Sequence, residues 1–211
     1  MVKIDRIKCG TGNCFLVQED GCSVLVDTGM AKYRNKIFRF CIDKNVKLIV
    51  LTHGHVDHIQ NAAYLSKKLR VPVAMHKDDL DLSSNNTIRP LFANGFAGRL
   101  LLWQSKRLIK KSIVDVFCPV LPLQDGDALD KYGLNNATIV GLPGHTKGSI
   151  GVLIDRTDLI VGDTLMNIFN PARALIYEDG DTMADSIAKI NSMEVKKIHF
   201  GHGASVEGSK W

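Results

Sequence analysis

Between Thr52 and His58 the chain reads Thr-His-Gly-His-Val-Asp-His, directly after the apolar run Leu48-Ile49-Val50-Leu51. No regular element aims His53, His55, Asp57 and His58 at one point, because neighbours one and two apart leave a strand or helix in different directions. The segment is expected to be a loop leaving the end of a buried strand, with its donors turned toward two neighbouring ions. That is a metal site in outline.

Further donors lie downstream. His145 sits in Gly141-Leu142-Pro143-Gly144-His145-Thr146-Lys147-Gly148-Ser149, Asp163 in Val161-Gly162-Asp163-Thr164 and His202 in Phe200-Gly201-His202-Gly203. Each follows a short apolar stretch and has glycine nearby, which lets backbone turn sharply and approach closely. Imidazole and carboxylate together suit zinc or a similar borderline divalent metal. Asp27, in Ser23-Val24-Leu25-Val26-Asp27-Thr28-Gly29, ends an apolar strand much as Asp163 does.

In the order THGHVDH, GHTKGS, VGDTL and FGHG, the chain resembles the metallo-β-lactamase superfamily, and within it the glyoxalase II-like hydrolases. The resemblance spans essentially the whole chain. It implies a four-layered αβ/βα sandwich with pseudo-two-fold halves and metals at one edge between two sheets. It implies that His53, His55 and His145 hold one ion, that Asp57, His58 and His202 hold a second, and that Asp163 bridges them. Asp27 is then expected to support a ligand by hydrogen bonding, and Asp57 is also the candidate catalytic residue. The nucleophile implied is a metal-bridging hydroxide, so no serine or cysteine nucleophile is needed. Zinc is the leading metal, with iron and manganese as alternatives.

Length and composition narrow the class. A chain of 211 residues buries a sizeable core as a single domain, and 45% hydrophobic with 23% charged residues is ordinary for a soluble globular protein. Charges interrupt the apolar residues of Met1-Val2-Lys3-Ile4-Asp5-Arg6, and no apolar run approaches a membrane span, so the expected location is cytoplasmic without stable membrane insertion. The odd count of five cysteines, Cys9, Cys14, Cys22, Cys41 and Cys118, argues for buried thiols rather than a disulfide framework. A net charge of +5 without interleaved aromatic platforms does not suggest nucleic acid; the expected partner is a small-molecule substrate.

Strand-like runs occur at Lys3 to Lys8, Cys14 to Gln18, Ser23 to Val26, Val73 to Met75, Ile113 to Phe117, Thr138 to Leu142, Ile150 to Ile154, Leu159 to Val161 and Lys197 to Phe200. Helices are expected over Lys32 to Lys44, over Gln60 to Arg70, and from a cap at Asp181 and Thr182 to Met193. The echo of Ser23-Val24-Leu25-Val26-Asp27-Thr28 in Leu159-Ile160-Val161-Gly162-Asp163-Thr164 suggests a pseudo-repeat. His76 and His199 are expected to be structural, and Lys147 to be solvated.

Residues 82–114 contain no acid, yet carry Arg89, Arg99, Lys106, Arg107, Lys110 and Lys111 among many apolar side chains. An amphipathic, basic, helical insertion is expected. It is a solvated face, a substrate lid, a contact between two subunits of a homodimer, or a membrane-touching surface. As a lid, its cations would assist anionic substrates.

Three function classes remain: a dinuclear hydrolase of an ester, thioester or lactone, with a phosphodiester as a weaker variant; a mononuclear iron oxidoreductase resembling persulfide dioxygenases; and a metal-binding protein without turnover. Asp163 points away from secreted β-lactamases, which lack a bridging carboxylate. Only nine residues follow His202, which leaves out the family's glutathione-binding helical domain. Met166 stands where lactonases of the family usually carry tyrosine, and Gln60-Asn61 where the family has a glycine pair.

Overall fold

The computed structural model describes residues 2–117, 120–208 and 211, so Cys118 lies outside the described residues, as does the side chain of Lys111. In chain order the first half comprises strands β1 (Lys3–Cys9), β2 (Gly12–Glu19) and β3 (Cys22–Val26), helix α1 (Arg34–Cys41), strand β4 (Val46–Val50), helices α2 (Val56–Ile59) and α3 (Ala62–Leu69), strand β5 (Val73–His76) and helix α4 (Leu80–Ser84). A short strand β6 (Phe92–Ala93) and the long helix α5 (Gly95–Lys111) precede β7 (Val120–Leu123). The second half runs β8 (Ala137–Gly141), β9 (Ile150–Ile154), β10 (Asp158–Ile160), β11 (Leu165–Met166), β12 (Ala172–Arg173), β13 (Ile176–Tyr177), α6 (Gly180–Ser192), β14 (Lys197–His199) and β15 (Val206–Glu207).

Strand alternation builds the layers. Phe15, Val17, Val24, Val26, Leu48 and Val50 point from the six-stranded sheet β1-β2-β3-β4-β5-β7 toward Ile139, Ile150, Val152 and Ile160 of the five-stranded sheet β15-β14-β10-β9-β8. Their neighbours Leu16, Leu25, Ile49 and Leu51 pack outward against Ile37 of α1 and Leu65 of α3. On the far side Val140, Leu159 and Ile198 pack on Ile190 of α6. The order is helix, sheet, sheet, helix, the four-layered sandwich expected.

The pseudo-repeat has a structural counterpart. β3 runs parallel to β4, and β10 runs parallel to β14. Asp27 and Asp163 follow the first strand of each pair, and the histidine loops follow the second. All four loops therefore leave the same edge of the two sheets.

Two expectations fail locally. Residues 113–117 form no strand, and Ile113 and Val116 are exposed; β5 pairs with β7 instead. β7 carries Pro122, which a sheet tolerates here because β7 is an edge strand. The last helix is capped by Asp179, two residues before the expected position, through its Oδ1 accepting from the amides of Asp181 and Thr182.

Candidate metal centre

All seven donors expected from sequence meet at that shared edge. His53, His55 and His145 bring one ring nitrogen each into a single cluster, and a carboxylate oxygen of Asp57 joins ring nitrogens of His58 and His202 in a second. Asp163 stands between the two sets, with Oδ1 3.5 Å from His58 Nε2, and Oδ2 3.3 Å from His202 Nε2 and 3.8 Å from His145 Nε2. Such closeness needs a bare backbone beside it: a Cβ at Gly201 would collide with Asp163 Oδ1.

Hydrogen bonds behind the rings fix their direction. His145 Nδ1 lies 2.8 Å from the Ile176 carbonyl, which can only accept, so Nδ1 carries the proton and the Nε2 lone pair faces the cluster. His58 Nδ1 is held 2.8 Å from Asp27 Oδ2. Asp27 also accepts from the Thr52 amide and hydroxyl, and that hydroxyl lies 3.1 Å from His53 Nδ1. One buried carboxylate thus contacts His58 directly and His53 through Thr52.

The atoms left over are informative. Among the described residues, four buried side-chain polar atoms have no partner, and three are His53 Nε2, His58 Nε2 and Asp163 Oδ1. Buried donors and acceptors are ordinarily paired, and orphans cost on the order of 1–3 kcal/mol each. Orphans converging on one point, from ligand-type side chains only, fit a divalent cation.

The two sets differ electrostatically. Burial and the neighbouring rings hold His53 well below the ordinary imidazole range; burial and His145 lower His55 to about 3; burial lowers His145 too. In the other set burial opposes charge on the rings, but Asp163, Asp27 and Asp57 outweigh it and raise His58 well above that range. Asp163 and Asp57 likewise overcome burial to raise His202 to about 10. Burial disfavours ionised Asp57 and Asp163, yet the adjacent His58 and His202 hold both carboxylates below their usual range.

The family model of the metallo-beta-lactamase superfamily matches residues 7–202, which include every one of these donors. The chain belongs to the metallo-beta-lactamase superfamily. It is 26% identical to the probable metallo-hydrolase YflN of Bacillus subtilis, over 94% of this chain and 83% of that protein. It is 28% identical to hydroxyacylglutathione hydrolase 1 of Vibrio vulnificus, over 90% of this chain but 61% of the relative. Among solved structures, TTHA1623 in a di-iron-bound form superposes with a TM-score of 0.71 at 23% identity, covering 97% of this chain and 94% of the other. A superfamily protein from Sulfolobus tokodaii gives 0.70 at 19% identity, covering 97% and 81%.

Beyond the superfamily motifs, this member has a clamp that sequence reasoning missed. Asp79, fully buried, accepts from the Gly54 amide (2.8 Å), the Gly148 amide (2.8 Å), the Thr146 hydroxyl (2.6 Å) and Arg89 Nη1 (3.0 Å). It therefore ties the loop carrying His53 and His55 to the loop carrying His145. Gly148 must be glycine, since a Cβ there would fall 2.8 Å from Asp79 Cγ. Arg89 continues the chain of contacts to Glu178 (3.1 Å), whose carboxylate accepts from the Lys147 amide and whose own amide donates to the carbonyls of Gly144 and His145. Arg89 is thus a partly buried ion-pair partner and not one of the free lid cations expected.

Removing a partner from such a buried network costs about 3–5 kcal/mol. Asp79→Ala is expected to lose that much in urea unfolding of the metal-free protein. A loss below about 1 kcal/mol would remove the clamp from consideration.

Asn61 also replaces something the family has. Standing where a glycine is usual, it is fully buried and donates to the carbonyls of Thr28, Gly29 and Met30, pinning the loop after Asp27. His199 is structural, between Ser205 and Asp158, and His76 caps the turn that follows it.

Proposed function

We propose that this metal-dependent hydrolase acts on an ester, thioester or lactone whose acyl part is apolar, with two divalent ions held by the seven donors. The observation that carries the reading is a cavity of about 310 Å³ beside the cluster, reaching His55, Asp57, His145, Asp163 and His202 at its floor. Its other walls are Leu91, Leu101, Leu108 and Ile109 from the insertion, with Met166, Ile168 and Leu175 opposite. No lysine or arginine lines it among the described residues. The insertion supports the lid alternative, but as an apolar lid: Lys106, Arg107 and Lys110 are exposed and lie outside the lining.

His53, His55 and His145 would hold one ion and Asp57, His58 and His202 the other, with Asp163 serving both. When bound, such ions supply Lewis acidity toward a carbonyl oxygen and activate water near neutral pH. The chain's own residues do the rest. Leu101, Leu108 and Ile109 sequester the acyl group from solvent, while Gln104 and Ser105 on the same helix and Thr11 opposite are the neutral polar groups available to orient it. Asp57, the most exposed of the donors, stays ionised because His58 and His202 stabilise its charge, so it accepts rather than supplies a proton.

A series of p-nitrophenyl esters of increasing chain length tests this on metal-loaded protein. Each buried methylene contributes about 0.8 kcal/mol, or roughly fourfold in kcat/KM, until the cavity is filled. Salt should barely alter these rates. Turnover restricted to short or anionic substrates would refute the apolar assignment. A product whose new oxygen derives from molecular oxygen instead of labelled water would move the protein to the oxidoreductases.

A further inference from the structure

The outer side of α5 is unexplained by the site. At 100° per residue, Leu101, Ser105 and Ile109 turn toward the cavity, which leaves Phe96, Leu100, Trp103 and Arg107 stacked along the opposite face. Phe96 is 85% exposed, Trp103 51% and Leu100 48%. Arg99, Lys106 and Lys110 flank this row on one side, all exposed. No aspartate or glutamate occurs between Asp81 and Asp115, and none of these four cations forms an ion pair among the described residues. The Arg107 guanidinium lies 3.7 Å from the centre of the Trp103 ring.

We propose that this face of α5 is a docking surface for an anionic lipid bilayer, on which the protein rests peripherally. Aromatic and leucine side chains mixed with cations, on a helix too short and polar to span, are the physical signature of a helix lying in the interface plane. Tryptophan favours the headgroup boundary, and long cationic side chains reach the headgroups while their stems lie on apolar surface. The chemistry selects against other occupants. A second copy joined by a two-fold axis would set Arg99, Lys106, Arg107 and Lys110 against the same four cations. Single-stranded nucleic acid needs open aromatic platforms in a groove, whereas Trp103 is stacked by Arg107 and the face is the outside of a helix. Lipid headgroups satisfy the cations and the acyl boundary receives Phe96 and Leu100.

Each cation near an anionic surface is worth about 1 kcal/mol, roughly a fivefold gain in partition. The test is co-sedimentation of the full-length, metal-loaded protein with vesicles of phosphatidylcholine alone or mixed with phosphatidylglycerol. Binding to the mixed vesicles is expected to exceed binding to phosphatidylcholine at least about tenfold and to be released by salt. Lys106→Gln with Arg107→Gln and Lys110→Gln should erase the lipid preference. Trp103→Ser with Phe96→Ser should weaken binding to both vesicle types. Unchanged melting temperature and unchanged hydrolysis of a soluble short-chain ester show that these variants fold. Equal binding to the two vesicle types, no binding, or binding that survives both variants would overturn the proposal. So would a concentration-dependent dimer, or tighter capture of single-stranded RNA, that the same substitutions abolish.

Discussion

Asp163→Asn is expected to strip the centre of metal and to abolish hydrolysis, with loss beyond the ~10–100-fold typical of changes to a ligand's outer partners. Asparagine preserves the shape of the side chain, so the fold should survive. What disappears is the one carboxylate approached by His58, His202 and His145 together, and with it the negative charge that would offset the proposed pair of cations. His58→Ala is the control, since it removes a donor from one set only. Metal content measured during chelator titration separates the two: Asp163→Asn should weaken both sites, and His58→Ala mainly one. Equal and small effects would contradict the shared role of Asp163.

The second large effect is a difference in proton release. Carboxylates favour the charged rings of His58 and His202 and burial disfavours charge on His53 and His55, so the metal-free protein is expected to hold protons at neutral pH on the first pair and not on the second. Ligands must be deprotonated to bind, so the set containing Asp57, His58 and His202 should release close to two protons and the His53, His55 and His145 set close to none. Affinity for the proton-releasing site is then expected to rise with pH, by as much as ~100-fold per unit where both rings are protonated, and to level off above the His202 value of about 10, while the other stays flat near neutrality. For folding of the metal-free chain the sign is opposite. The raised rings add stability that is complete below about 6.5 and is lost as pH climbs through their folded values. Stepwise metal addition in weakly buffered solution with a pH indicator reads the release directly. Equal release in both steps would show that the two sets do not differ as described.

The donors were legible because each rides in a short contiguous motif that ends an apolar run, and strand ends on one edge bring such motifs together. Asp27 was legible for the same reason. The clamp was not: Asp79 holds Thr146 and Gly148 from far along the chain, and Arg89, besides its pairing with the nearby Asp79 and Asp81, meets Glu178 89 residues further on. Long-range ion pairs leave no local pattern. The basic character of residues 82–114 was plain, but which face of α5 looks inward depends on packing, and the structure turns the aliphatic face to the cavity and the cations away from it. The strand Val120–Leu123 was hidden by Pro122, which local propensity counts against a strand and edge position permits.

His53, His55, Asp57 and His58 follow a strand of one sheet, whereas His145, Asp163 and His202 follow strands of the other. Any ion held by both groups is a cross-link between the two halves of the sandwich, formed only after they have docked. A ligand that binds the folded state alone shifts the unfolding equilibrium by mass action, ~4 kcal/mol at a thousand times its dissociation constant. The supply of metal therefore governs how long the molecule persists as well as whether it is active. A chain made in metal-poor surroundings lacks that cross-link, and its sheets are joined by apolar packing, the Asp79 clamp and hydrogen bonds such as those from Asn13 to Gly201 and from Ile150 to Thr52, so it is expected to open more often and to be cut faster by a protease.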